Sequence, residues 1–141
     1  MTDEKIRVIL VDDEPLALRG LKLRLQSFPE VEIVGECANG REAVKEIKAL
    51  SPDLVFLDIQ MPGLDGFGVV RAMIGAPAPL FVFVTAYDKY AIDAFEANAL
   101  DYIVKPVEEE RLNDAIHRAR EAIKSKAAAS RREDAPARQQ D

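Results

Sequence analysis

Five short apolar runs punctuate this chain, and between them the apolar residues fall at helical spacing. The runs are Ile6–Val11, Val31–Cys37, Leu54–Leu57, Leu80–Val84 and Asp101–Val104. Strands that alternate with helices are joined by right-handed crossovers into one parallel sheet covered on both faces. The first, third and fourth runs are nearly continuous in Val, Ile, Leu and Phe, as central parallel strands require. The second is broken by Glu32, Gly35 and Glu36, and the fifth is short, so both suit sheet edges. The expected fold is therefore α/β, a doubly wound five-stranded parallel sheet in the order 2-1-3-4-5.

The intervening helices carry their own signals. Pro15 suits the first position of a helix, because its fixed φ and missing N–H cost nothing there. Leu18, Leu21, Leu25 and Phe28 supply that helix with a core face. A second helix follows Asn39-Gly40 and buries Ala43, Val44, Ile47 and Leu50. A third follows Gly63–Gly66, with Asp65 placed to cap it. A fourth is expected over about Lys89–Asn98. A fifth is expected from about Glu108 to Lys126, its acidic start facing the positive end of the helix dipole. Leu112, Ile116, Ala119 and Ile123 form its buried stripe.

Large apolar residues end at Ile123. The division expected is a folded unit over residues 1–126 and a flexible tail, or the start of an interdomain linker, over 127–141. Residues 124–141 hold five basic and three acidic side chains, a net of +2. The whole chain is −6, which leaves −8 on residues 1–123. So acidic a body is a poor nucleic-acid binder, so any DNA contact is expected only through an output domain outside this chain. A single Cys, Cys37, excludes an internal disulfide and suits a reducing compartment. The opening Met1–Lys5 has no basic-then-apolar build, and no run nears the roughly 20 apolar residues of a membrane span. A cytoplasmic chain with no membrane partner is expected.

Polar residues stand directly after four of the runs: Asp12 and Asp13, Asp58, Thr85 and Lys105. Ligands of doubly wound sheets bind beyond the carboxyl ends of the strands, where the strand order reverses. In the order 2-1-3-4-5 that point lies between strands 1 and 3, at Asp12, Asp13 and Asp58. Three crowded carboxylates repel one another and raise each other's pKa, and a hard divalent cation such as Mg²⁺ relieves this. Taken singly, each residue has an ordinary explanation: Asp12 or Asp13 as a helix cap, Asp58 as a strand end, Thr85 as a turn hydroxyl, Lys105 as a surface cation. Taken together, the ordinary explanation must account for a cluster on one rim, and it does not.

The segments Val11–Pro15, Leu57–Gly66, Val84–Ala86 and Asp101–Pro106 resemble the receiver domain of two-component response regulators over about residues 5–125. Asp13–Ala17 and the stretch from Thr85 through Tyr102 are similar to the LytR/AlgR subgroup, whose members carry a LytTR-type DNA-binding domain after the receiver. The resemblance implies a phosphoacceptor at Asp58, charged by a sensor histidine kinase. It implies Mg²⁺ held by Asp13, Asp58 and the backbone carbonyl of Gln60, with Asp12 acting through water. Lys105 would pair with a phosphoryl oxygen, Thr85 would hydrogen-bond it, and Tyr102 would be the switch aromatic. It also implies a cis peptide between Lys105 and Pro106, and a homodimer formed on phosphorylation. Transcription regulation through the attached domain would be the output, with a free-standing receiver as the alternative.

Gln60 and Tyr87 each follow a site residue by two positions and should border the water path, where a bulky Tyr87 would slow self-dephosphorylation. A small Mg²⁺-dependent phosphohydrolase is the enzymatic rival. It would want a second carboxylate two residues past the nucleophile, where this chain has Gln60. A binding module without the chemistry would not need all the site residues, and a flavin domain would need a phosphate loop after strand 1. No enzyme beyond self-phosphorylation and self-dephosphorylation is expected. Leu16 and Leu23 lie off the core stripe of the first helix, as scattered surface leucines or a kinase-docking face. His117 reads as a solvated helix residue, and Tyr90, Arg111, Asp114, Arg118 and Glu121 as a solvated surface or as the dimer face.

Overall fold

The computed structural model describes residues 5–134. Its elements run β1 (Ile6–Val11), α1 (Pro15–Leu25), β2 (Val31–Cys37), α2 (Gly40–Leu50), β3 (Leu54–Leu57), α3 (Gly66–Ala72), β4 (Leu80–Thr85), α4 (Ala91–Glu96), β5 (Asp101–Val104) and α5 (Glu109–Asp134). The five strands form one parallel sheet in the order β2-β1-β3-β4-β5. The apolar runs thus become the strands expected of them, with the interrupted and the short run at the two edges.

Successive strand residues point to opposite faces, and the core divides accordingly. Val8, Leu10, Phe56, Val82 and Ile103 pack on one face against Leu21 and Leu25 of α1 and Leu112, Ile116 and Ala119 of α5. Ile9, Val11, Val55, Leu57 and Phe83 pack on the other against Ala43 and Ile47 of α2, Val69 of α3 and Ala94 of α4. Phe56 and Phe83 are fully buried on opposite faces. Truncating either to Ala would remove about 3–5 kcal/mol.

Register sets the rim. Val11 pairs with Leu57, and Leu57 with Phe83, so β1, β3 and β4 reach the same level together. Asp58 donates its backbone N–H to the Val11 carbonyl at 3.0 Å, which places the residues after β1 and β3 side by side.

Helix starts follow local chemistry, with two departures from expectation. Asn39 caps α2 by accepting the Glu42 N–H at 2.8 Å, and Asp65 caps α3 by accepting the Gly68 N–H at 2.9 Å. Asp13 does not cap α1. The capping position is Glu14, which makes no side-chain cap bond, and Asp12 takes the Glu14 N–H at 2.9 Å instead. Helix α4 is shorter than the expected 89–98: the Tyr90 N–H is turned to the Tyr102 hydroxyl, and Asn98 is left-handed at φ 64°.

Helix α5 continues past the expected Lys126 to Asp134. Ala127-Ala128-Ala129 supplies strong helix formers in the stretch read as flexible tail, and absent core contacts do not outweigh that propensity. The remaining tail residues, 135–141, lie outside the described residues.

Candidate functional site

Asp12 and Asp58 are buried, at 6% and 7% exposure, and Asp58 still borders an open hollow of about 590 Å³. Asp13, Asp58, Gln60, Ala86 and Tyr87 are among its lining residues. One carboxylate oxygen from each of Asp12, Asp13 and Asp58 lies within 4.8 Å of the others, the spacing that lets three hard oxygen ligands share one cation. These are the three carboxylates that the sequence placed at the switch point.

Lys105 completes the constellation from β5. Its backbone N–H donates to the Thr85 carbonyl at 2.8 Å, tying the end of β5 to β4. Its ammonium then reaches Asp12 Oδ2 at 2.8 Å and Asp58 Oδ2 at 3.4 Å. The Lys105–Pro106 peptide is cis. Thr85 is fully buried, forms the last residue of β4 rather than following it, and accepts the Tyr87 N–H on its hydroxyl at 3.4 Å.

Electrostatics follow from burial and proximity. Burial pushes the Asp58 carboxyl above its ordinary value. Lys105 opposes this, Asp12 adds to it, and hydrogen bonding from the Ile59 N–H and the Thr85 hydroxyl lowers it again. Burial alone would lower the Lys105 ammonium, but its hydrogen bond to Asp12 and the charge of Asp58 hold it above its ordinary value. Asp58 has the Ile59 backbone amide on Oδ1, at 2.7 Å, and the longer Lys105 contact on Oδ2.

A family model described as "Response regulator receiver domain" matches residues 8–117. The chain belongs to the receiver family. Among curated relatives, a transcriptional regulatory protein BtsR of Salmonella typhi is 50% identical over 116 residues, covering 82% of this chain and 48% of the relative. The chain thus spans about half the length of the curated relatives it matches. Among solved structures, the response regulatory domain of mrkE from Klebsiella pneumoniae superposes with a TM-score of 0.78 at 35% identity, covering 84% of this chain and 98% of that one. A CheX–CheY–BeF3–Mg complex from Borrelia burgdorferi gives 0.72 at 25% identity, covering 80% and 87%.

Tyr102 lies on β5 between the site and the loop that precedes α4. Its hydroxyl donates to the Tyr87 carbonyl and accepts the Tyr90 N–H at 3.3 Å. Burial pushes its phenol up.

Two groupings were missed in the sequence. Tyr90, read there as a solvated side chain, accepts a hydrogen bond from Gln60 Nε2 at 2.6 Å across the rim of the hollow. Only the tertiary fold brings positions 60 and 90 together. Arg111, read as an outward charge, instead grips buried Asp101 at 2.5 and 2.9 Å and the Tyr102 carbonyl at 2.9 Å. Here a signal existed: an Asp opening an apolar strand must find a partner when it is buried.

Among the surface candidates, Leu16 is 81% and Leu23 57% exposed on α1. Arg118 approaches Asp101 at 3.6 Å, and Asp114 and His117 stand on the exposed side of α5. Glu121 lies 3.8 Å from Lys124. Among the described residues, no helix is long and apolar enough to cross a membrane.

Proposed function

We propose that this receiver takes a phosphoryl group onto Asp58 from the phosphohistidine of a sensor histidine kinase. An Asp58 oxygen bonds to phosphorus as the P–N bond breaks, and the imidazole leaves with the electron pair and takes up a proton. The observation that carries this reading is the meeting of Asp12, Asp13 and Asp58 within reach of Lys105, with Asp13 and Asp58 lining an accessible hollow.

The donor set suits Mg²⁺, with Asp13, Asp58 and the Gln60 backbone carbonyl as direct ligands and Asp12 acting through water. Bound there, the ion would neutralise charge on the transferring oxygens. Lys105 would hold a phosphoryl oxygen, and in doing so would give up part of its contact with Asp12. The buried Thr85 hydroxyl would hydrogen-bond another and so register the group's arrival. Tyr102, tied through its hydroxyl to the Tyr87 carbonyl, would carry that change to the α4 side. A bulky Tyr87, 44% exposed beside the hollow, would slow hydrolysis.

The reading extends to the whole protein as follows. Residues 1–126 act as the receiver unit, and 127–141 begin the connection to an output domain. Phosphorylation favours a homodimer, and a DNA-binding domain outside this chain turns it into transcription regulation in the cytoplasm. The naming of half-matched relatives as transcriptional regulators supports this, as does the likeness to the LytR/AlgR subgroup.

Mass spectrometry after incubation with a small acyl phosphate and Mg²⁺ tests the acceptor. A single phosphoryl adduct on the wild type and none on Asp58→Ala is the expected result, and an adduct on both would remove Asp58 from its role. Gel filtration of the same samples tests the dimer.

A further inference from the structure

Tyr90 occupies the capping position of α4 and fastens three separate segments to one another. Its hydroxyl accepts from Gln60 Nε2 at 2.6 Å, on the loop that follows Asp58. Its ring stands edge-on to Tyr87, with centroids 6.2 Å apart and planes at 80°. Its backbone N–H donates to the Tyr102 hydroxyl at 3.3 Å. Lys89 lies over both rings, 5.8 Å from the Tyr87 centroid and 5.3 Å from that of Tyr90.

Gln60 and Tyr87 both line the Asp58 hollow, whereas Tyr90 is not part of that lining. Tyr90 therefore stands behind the two residues that border the opening and joins one to the other. From this geometry we infer that Tyr90 is a positioning residue: by holding Gln60, it fixes that side chain at the rim of the hollow, narrows the opening and slows the approach of small molecules to Asp58.

The inference rests on the phosphoacceptor reading above. In the hydrolysis it restrains, a water oxygen bonds to phosphorus while the P–O bond to Asp58 breaks. The carboxylate leaves with the electron pair, and the water's protons pass to phosphate and solvent. A narrowed rim hinders that water, and it hinders a small phosphodonor arriving by the same route. Loss of the clasp should therefore speed uptake and hydrolysis together. A variant that merely disordered the site would slow uptake, because the donor needs aligned groups.

The experiment uses the 141-residue chain as wild type, Tyr90→Phe, Gln60→Ala and the double variant. Phe keeps the ring packing and the backbone bonds and removes only the hydroxyl. Mass spectrometry follows uptake from acetyl phosphate with Mg²⁺, then the loss of the adduct after the donor is removed. Tyr90→Phe should accelerate both rates about fivefold, the worth of one hydrogen bond. In the Gln60→Ala background the same change should have less than about a twofold effect, because the partner is already gone. The inference is overturned by a Tyr90→Phe variant that matches the wild type or slows either rate. Equal acceleration with and without Gln60 overturns it too. A wild type that takes up no phosphoryl group sinks the parent reading, and this one with it, and is told apart from the other failures by the missing adduct.

Discussion

Arg111, in the first turn of α5, closes on both carboxylate oxygens of Asp101, the residue that opens β5. The side chain of Asp101 is only 5% exposed. Burial would raise its carboxyl, but the Arg111 hydrogen bonds, the Tyr102 N–H and the Arg111 charge together bring it below its ordinary value. Removing Arg111 leaves a buried charge that Arg118, at 3.6 Å, can only partly serve.

Arg111→Met should therefore destabilise the fold by about 2 kcal/mol at neutral pH, a figure reduced for the partly exposed guanidinium. Since folding lowers the Asp101 pKa, the pair's contribution is complete above the unfolded value of 3.8 and fades as pH falls through the folded one. Urea midpoints of both proteins between neutral and acid pH check this. A gap that stays constant down to the lowest pH would dismiss the ion pair as its source.

Asp58 has the opposite sign. Its carboxyl is raised, so folding is favoured below the unfolded value of 3.8 and loses that favour as pH rises through the folded one. At neutral pH the ionised site costs stability, and Asp58→Asn should melt higher than the wild type, with the gap closing in acid. Mg²⁺ at about 100 times its Kd should stabilise the wild type by about 2.7 kcal/mol and Asp58→Asn far less. Thermal melts with Mg²⁺ and with a chelator measure both effects.

Two glycines should respond to Ala in opposite directions. A Cβ on Gly66 would sit 2.4 Å from the Asp58 carbonyl oxygen and 2.9 Å from Ile59 Cα, so the start of α3 and the site loop would have to separate. Gly66→Ala should lose about 1–3 kcal/mol and reduce phosphoryl uptake. A Cβ on Gly20, inside α1, meets only the Arg24 guanidinium at 3.5 Å. Gly20→Ala should gain about 0.5–1 kcal/mol. Denaturant titrations of the two variants give the comparison.

Cys37, at the end of β2, is 1% exposed, and burial with Glu42 and Glu46 nearby pushes its thiol up to about 12. The reactive form is the thiolate. Folded protein at mildly alkaline pH should react with a thiol reagent roughly a thousandfold more slowly than unfolded protein. Similar rates in the two states would mean that β2 opens readily at this edge.

How much the sequence disclosed depended on the range of the interaction involved. The sheet was legible because an apolar run buried on both faces has few other places to go. The Val11 to Asp12 and Leu57 to Asp58 boundaries then became neighbours through register alone. Asp65 and Asn39 were legible as caps because a cap is satisfied within three residues. Asp13 misled as a candidate cap, since the helix begins one residue later and it is Asp12 that takes the Glu14 N–H. The Gln60–Tyr90 bond spans 30 residues with no periodic trace in either segment. The far end of α5 was hidden for another reason: core periodicity stops at Ile123, while backbone propensity carries the helix on to Asp134.

That continuation turns the end of α5 into a rod with a phase. Each residue past Lys126 advances the chain about 1.5 Å and turns it by about 100°. Asp134 is thereby given an azimuth as well as a distance from the sheet. One residue inserted among the alanines would swing it a quarter-turn or more, whereas seven would lengthen the arm and return it to nearly the same bearing.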